Sequence, residues 1–120
     1  MLIATLPQAP AAAALMIFID SFWLLTGGIF ARQIAQRIQG APIQFRYAAA
    51  IPVYAALVYI LNHATSAAHA FALGLATYAV YDFTTYAILT NYDWRFALAD
   101  TIWGGCLFAI TYMVFRRLSQ

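Results

Sequence analysis

Between Ala11 and Phe115 the chain is made almost wholly of apolar runs long enough to cross a lipid bilayer. No other feature constrains its fold so tightly. A transmembrane helix needs about 20 predominantly apolar residues. Such runs lie at 11–31, 47–62, 67–90 and 95–115. The second is the shortest and carries Pro52 near its start, where a helix tolerates proline. A soluble fold of 120 residues, 65% of them hydrophobic and 8% charged, has too little polar surface to cover its apolar content. The expected fold is therefore all-α: a single integral membrane domain over residues 1–120, built as a four-helix transmembrane bundle with membrane lipids as its main partner.

The joints fit this division. RQIAQRIQGAPIQFR (32–46) is polar, with Ile34 and Ile38 four residues apart and Arg37 offset, the pattern of a short amphipathic segment lying at the interface between the first two spans. Gly40 and Pro42 break it before the second span. NHATSAAH (62–69) reads as a tight polar hinge. TNYDWR (90–95) reads as a tight turn, with Tyr92 and Trp94 placed for the headgroup layer and Asp93 free to pair with Arg95.

Charge narrows the function classes. All six basic residues are arginines, none in a block, and a net charge of +2 does not suit nucleic acid. No Lys or Arg precedes Arg32, so the N-terminus lacks the charged start of a secretory signal, and the first apolar run is expected to be a retained membrane helix. Arg32, Arg37, Arg46 and Arg95 fall on one side of a four-span bundle and Arg116 and Arg117 on the other, which favours cytoplasmic loops and both termini outside. The lone Cys106 allows no internal disulfide and is read as a small packing residue. His63 and His69 are six apart across a break, unlike metal ligands four apart on one helix, and are read as interfacial. Tyr47, Tyr54 and Tyr59 on the second span are read as belt or core aromatics with one wet end. No metal cluster, phosphate loop or cofactor motif is recognisable.

Three of the four acidic residues, Asp20, Asp82 and Asp100, lie inside the spans. An ionisable group at the centre of a membrane helix costs roughly 2.5–3.5 kcal/mol, and such groups usually face a bundle interior or a wet cavity. Counting along the helices at 1.5 Å per residue places Asp82 and Asp100 roughly 8–12 Å from the same surface, with Asp20 about a turn deeper. Asp20 and Asp100 sit in matching settings, IDSFW (19–23) and ADTIW (99–103), each with a tryptophan three residues on and sharing its helix face. Each motif precedes a glycine pair, Gly27–Gly28 or Gly104–Gly105, that would let another backbone approach closely. On antiparallel helices the motif is inverted across the membrane, an arrangement familiar from transporters. The third span adds the densest polar run, YDFTTYA (81–87), in which Tyr81, Thr84, Thr85 and Tyr86 surround Asp82.

Together, Asp20 with Trp23 in the first span, the Tyr81–Tyr86 run in the third and Asp100–Gly104 in the fourth give a pattern that covers nearly the whole chain. In that pattern the chain resembles the small bacterial membrane proteins grouped as domain of unknown function 2177. Thr85 departs from the family, which often carries asparagine there. The resemblance implies a four-helix integral protein of the bacterial cytoplasmic membrane and makes the three acids a shared feature. It implies no activity.

The residues themselves support two expectations of different class. In the first, Asp82 and Asp100, with Asp20 deeper and Tyr81, Thr84, Thr85, Tyr86, Trp23 and Trp103 around them, form a buried site for protons, a cation or a small solute. One protomer leaves little room for a pore, so transport would require a homo-oligomer. In the second, the protein is a non-catalytic accessory or assembly subunit of a larger membrane complex, which 17% aromatic residues and negligible loops suit; the plain reading of the acids and hydroxyls themselves is structural glue at about 0.6 kcal/mol per bond. Intramembrane aspartyl proteolysis is a third and weaker reading. Paired carboxylates can activate water, but Asp100 sits in LADTI without the flanking glycine such enzymes carry.

Overall fold

The computed structural model describes residues 4–118, and they form five α-helices with no strand among them. A single 3-10 turn (Leu6–Gln8) leads into α1 (Ala9–Thr26), followed by α2 (Gly28–Gln39). A second 3-10 turn (Tyr47–Ala49) opens α3 (Ala50–Leu61), and α4 (Ala67–Ile88) and α5 (Trp94–Leu118) complete the chain. Two of these, α1 and α5, are long and apolar enough to cross a membrane, with mean hydropathies of 1.6 and 1.5. The 25 residues of α5 run about 37 Å at 1.5 Å each, longer than a hydrocarbon core of about 30 Å.

The stretch expected to be one first span is divided at Gly27. Ala31 and the residues before it back to Gly28 belong to α2. The Thr26 hydroxyl donates to the carbonyls of Phe22 (2.8 Å) and Trp23 (3.5 Å), competing with the backbone ladder where glycine also weakens it. The ladder resumes with Phe30 and Ala31 donating to Gly27. The amphipathic segment expected at 32–46 is thus helical only as far as Gln39, in a helix that starts four residues earlier. Its apolar stripe turns inward, with Ile34 buried, while Arg32, Gln33, Gln36 and Arg37 face out. Gly40 ends α2 in the left-handed region at φ 69°, where its lack of a Cβ avoids strain.

Local chemistry sets the other ends. Ser66 caps α4 by accepting from the His69 backbone N–H at 3.0 Å. Asp93 caps α5 by accepting from the Arg95 N–H at 2.8 Å, and its carboxylate also holds the Arg95 guanidinium at 3.0 Å. Asn62 exchanges two hydrogen bonds with the backbone of Ala4 (2.9 and 3.0 Å), which ties the start of the chain to the end of α3.

Packing is dominated by the antiparallel pair of α4 and α5. Gly74 and Gly104 set its spacing: a Cβ on Gly74 would strike the Gly104 carbonyl oxygen, and one on Gly104 would strike the Tyr78 ring. A Cβ on Gly105 would lie 2.8 Å from the Phe71 ring. Gly104 and Gly105 thus stand at the α4–α5 contact with no room for a side chain. The expectation for Gly27–Gly28 needs correction. A Cβ on Gly27 would meet the Trp23 indole of the preceding turn at 2.7 Å, and one on Gly28 would meet only the Arg32 side chain at 3.7 Å. That pair is the α1–α2 joint, where the indole folds over the missing side chain. Around the α4–α5 pair, Met16, Leu57, Leu61, Leu107 and Phe108 build the core with Ala12 and Ala70, while Phe18, Leu25, Ile51 and Val80 project outward.

Candidate functional site

Asp20, Asp82 and Asp100 are all buried, with 6%, 0% and 9% of their surface exposed. None makes an ion pair among the described residues, where the one salt bridge joins Arg95 to Asp93. Their partners are neutral donors. The Trp23 indole N–H donates to Asp100 at 2.7 Å, and the Trp103 indole N–H donates to Asp20 at 2.8 Å.

The two Asp-x-x-Trp motifs therefore exchange partners. Within each motif the carboxyl and the indole leave the helix side by side on one face. Because α1 and α5 run antiparallel, residue 20 comes opposite 103 and residue 23 opposite 100, so each indole reaches the other motif's acid. The two indoles stack with centroids 6.0 Å apart and planes 17° apart. Phe22 packs against Trp103 at 5.9 Å and Phe96 against Trp23 at 6.2 Å, so carbon surrounds the crossed bonds. This register also sets Asp20 one turn further along the bundle than Asp100.

Tyrosines complete the shell. The Tyr54 hydroxyl of α3 donates to Asp20 at 2.6 Å. The Tyr92 hydroxyl, in the α4–α5 turn, donates to Asp82 at 3.2 Å, and Thr101 reaches the other oxygen of that carboxyl at 3.5 Å. Through Thr101, the residue after Asp100, Asp82 is tied to the turn of α5 that carries Asp100. Tyr78 lines the cavity beside Asp20 and Asp100. Burial, then the Asp82 charge and the bond to it, hold the Tyr92 phenol above its ordinary pKa. At the surface of the same turn the Arg95 contacts hold Asp93 below the usual carboxylate range.

The remaining expected residues divide. Tyr81 and Thr85 line a cavity of about 460 Å³ together with Asp20, Asp100 and Trp23. The Thr85 hydroxyl itself is spent on the Tyr81 carbonyl at 2.6 Å. Thr84 and Tyr86 are exposed and join neither the cavity nor the carboxyl cluster. Thr84 lies about 200° round the helix from Asp82, which turns it away. His63 and His69 are engaged locally, with Tyr59 and Thr65 respectively. Tyr54, Tyr78, Tyr92 and Thr101 were not foreseen at the site. Thr101 carries a sequence signal, since it is the hydroxyl residue directly after Asp100 in the repeated motif, whereas nothing local marks Tyr54 or Tyr92 among eight tyrosines.

Comparison with curated proteins and with solved structures gives no match. One family model, described as Predicted membrane protein (DUF2177), matches residues 8–115, which takes in every residue of the carboxyl cluster and the helices that carry it. The chain belongs to that family of membrane proteins.

Proposed function

We propose that this is a small polytopic protein of the bacterial cytoplasmic membrane, and that its buried carboxyls form a site for a positively charged species: protons, a cation or a small cationic solute. In this reading α1, α4, α5 and the shorter α3 with its lead-in turn together form a four-helix transmembrane bundle. The observation that carries the proposal is three buried carboxyls with no basic partner among the described residues, two of them lining a cavity. Structural glue needs only neutral polar groups worth about 0.6 kcal/mol each in a membrane. Three acids cost several times that unless something positive shares their site.

The alternative, an accessory subunit whose acids await a partner, is less well supported. The protein's own α1, α3, α4 and α5 already enclose the carboxyls, and α2 lies over the cavity beside them. A test uses liposomes enclosing a pH-sensitive dye. A cation gradient should drive proton movement through the native protein, and Asp100→Asn, which keeps size and hydrogen bonding but cannot ionise, should abolish it in protein that still folds. Equal proton movement from native and variant protein would overturn the proposal.

A further inference from the structure

The cavity beside the acids has walls of unusual composition. Among the described residues of its lining, Asp20 and Asp100 are the only acidic or basic side chains. Around them stand aromatic side chains: Trp23, Tyr78, Tyr81, Tyr92 and Phe96. The side facing α2 is aliphatic, from Ala31, Ile34, Ala35 and Ile38, one stripe of that helix. An ionised carboxylate can accept about four hydrogen bonds. Asp20 receives one from Trp103 and one from Tyr54, and Asp100 receives one from Trp23, so both keep capacity.

Each class of occupant can be weighed against these walls. An anion would face two carboxylates and the negative faces of the rings. A metal ion of the calcium kind takes 6–8 oxygen ligands, and among the described residues no three His, Cys, Asp or Glu side chains converge to hold a metal. A neutral apolar molecule would leave the carboxylates uncompensated. An organic cation satisfies every wall together. Its charge is spread over carbon and weakly hydrated, aromatic rings attract it, and the carboxylates neutralise it. Its alkyl groups can rest on the aliphatic stripe of α2. The volume, about 460 Å³, lies within the roughly 300–1,000 Å³ of small-molecule sites.

We infer that this cavity binds a small organic cation, an amine or quaternary ammonium group, between the carboxylates of Asp20 and Asp100 and an aromatic wall that includes Tyr92 and Phe96. The inference rests on the proposed cationic site and names its class of ligand. The same chemistry is available from a free solute and from a choline lipid headgroup.

The test uses full-length protein carrying Trp94→Phe, since Trp94 is exposed and does not line the cavity, in nanodiscs of phosphatidylglycerol alone. Tetramethylammonium and choline should each change the remaining tryptophan fluorescence saturably. Sodium chloride at equal ionic strength and 3,3-dimethylbutanol, the uncharged isostere of choline, should not. Asp100→Asn should weaken binding by roughly tenfold or more, and Phe96→Leu, which keeps an apolar side chain without the ring, by several-fold. Phe96→Leu also serves where the Asn variant does not fold. Competition by phosphatidylcholine in the disc would assign the site to a lipid headgroup, and its absence to a free solute; both keep the inference. An unsaturable response, an equal response to the isostere, or binding unchanged in both variants overturns it. If that happens while Asp100-dependent proton movement persists, the organic cation falls and the cationic site stands. Loss of both results removes both readings.

Discussion

Gly74→Ala should be the most damaging single-methyl change in the protein, and the α4–α5 contact says why. Ordinary carbon contacts are about 3.5–4.0 Å. The added Cβ would fall 2.7 Å from Phe108 Cγ and 2.8 Å from Phe108 Cβ, and closer still to the Gly104 carbonyl oxygen. That oxygen is backbone within a helix and cannot swing aside as a flexible side chain would. The two helices must part by about an ångström, and overpacking of this kind costs about 1–3 kcal/mol. A gap of that size also forfeits a quarter to a half of the dispersion energy of contacts along the seam. Alanine's better helix propensity returns about 0.8–1.0 kcal/mol at most. Because the obstacle is rigid, the gross cost is expected at the top of that range, about 3 kcal/mol, which leaves a net loss of about 2 kcal/mol. Gly28→Ala is the control. It meets only the mobile Arg32 side chain at 3.7 Å, so it should be neutral or slightly stabilising. Equilibrium unfolding in mixed micelles, followed by circular dichroism, measures both. If Gly74→Ala unfolds at the parent's denaturant level, α4 and α5 are not in backbone contact there and the argument fails.

Other perturbations give smaller, well-defined outcomes. Thr111 has a buried hydroxyl without a hydrogen-bond partner, so Thr111→Val should be neutral or stabilise by about 1 kcal/mol in the same unfolding assay; a clear loss of stability would show that the hydroxyl is in use. Asp93 has its pKa lowered by Arg95 in the folded protein. Its contribution is therefore present above the unfolded carboxyl's pKa and is lost as pH falls through the folded value. Protection factors of the amides in the 90–97 turn, corrected for the intrinsic pH dependence of exchange, should fall over that acid range in the native protein, and those of Asp93→Asn should not.

Long apolar runs reveal helices because lipid leaves the backbone no other partner, and three acids inside those runs mark the site. The break at Gly27 was harder to see. It depends on a threonine hydroxyl bonding back to Phe22 and on an indole folding over a glycine, interactions that apolar length does not report. Gly74 was missed although Ala70 and Gly74 form a small-residue pair one turn apart, both buried at the α4–α5 seam. Hydroxyl density around Asp82 misled in the other direction: it drew in Thr84 and Tyr86, whose position on α4 points them outward. The donors to the acids come mostly from other helices, Tyr54 on α3 and Trp103 on α5 for Asp20. Such pairings need the lateral arrangement of helices, which one strip of sequence does not contain. The repeated Asp-x-x-Trp was visible, but spacing alone suggested an indole beside its own acid. Only the antiparallel register shows that the two motifs trade partners.

That exchange is the centre of the account, and a double-mutant cycle tests it directly. Trp23→Phe and Asp100→Asn, singly and together, should show a coupling of about 1–2 kcal/mol in unfolding free energy, and Trp103→Phe with Asp20→Asn a similar value. The within-motif pairs, Trp23 with Asp20 and Trp103 with Asp100, should couple far more weakly. Coupling confined to the within-motif pairs, with none across α1 and α5, would contradict the crossed site.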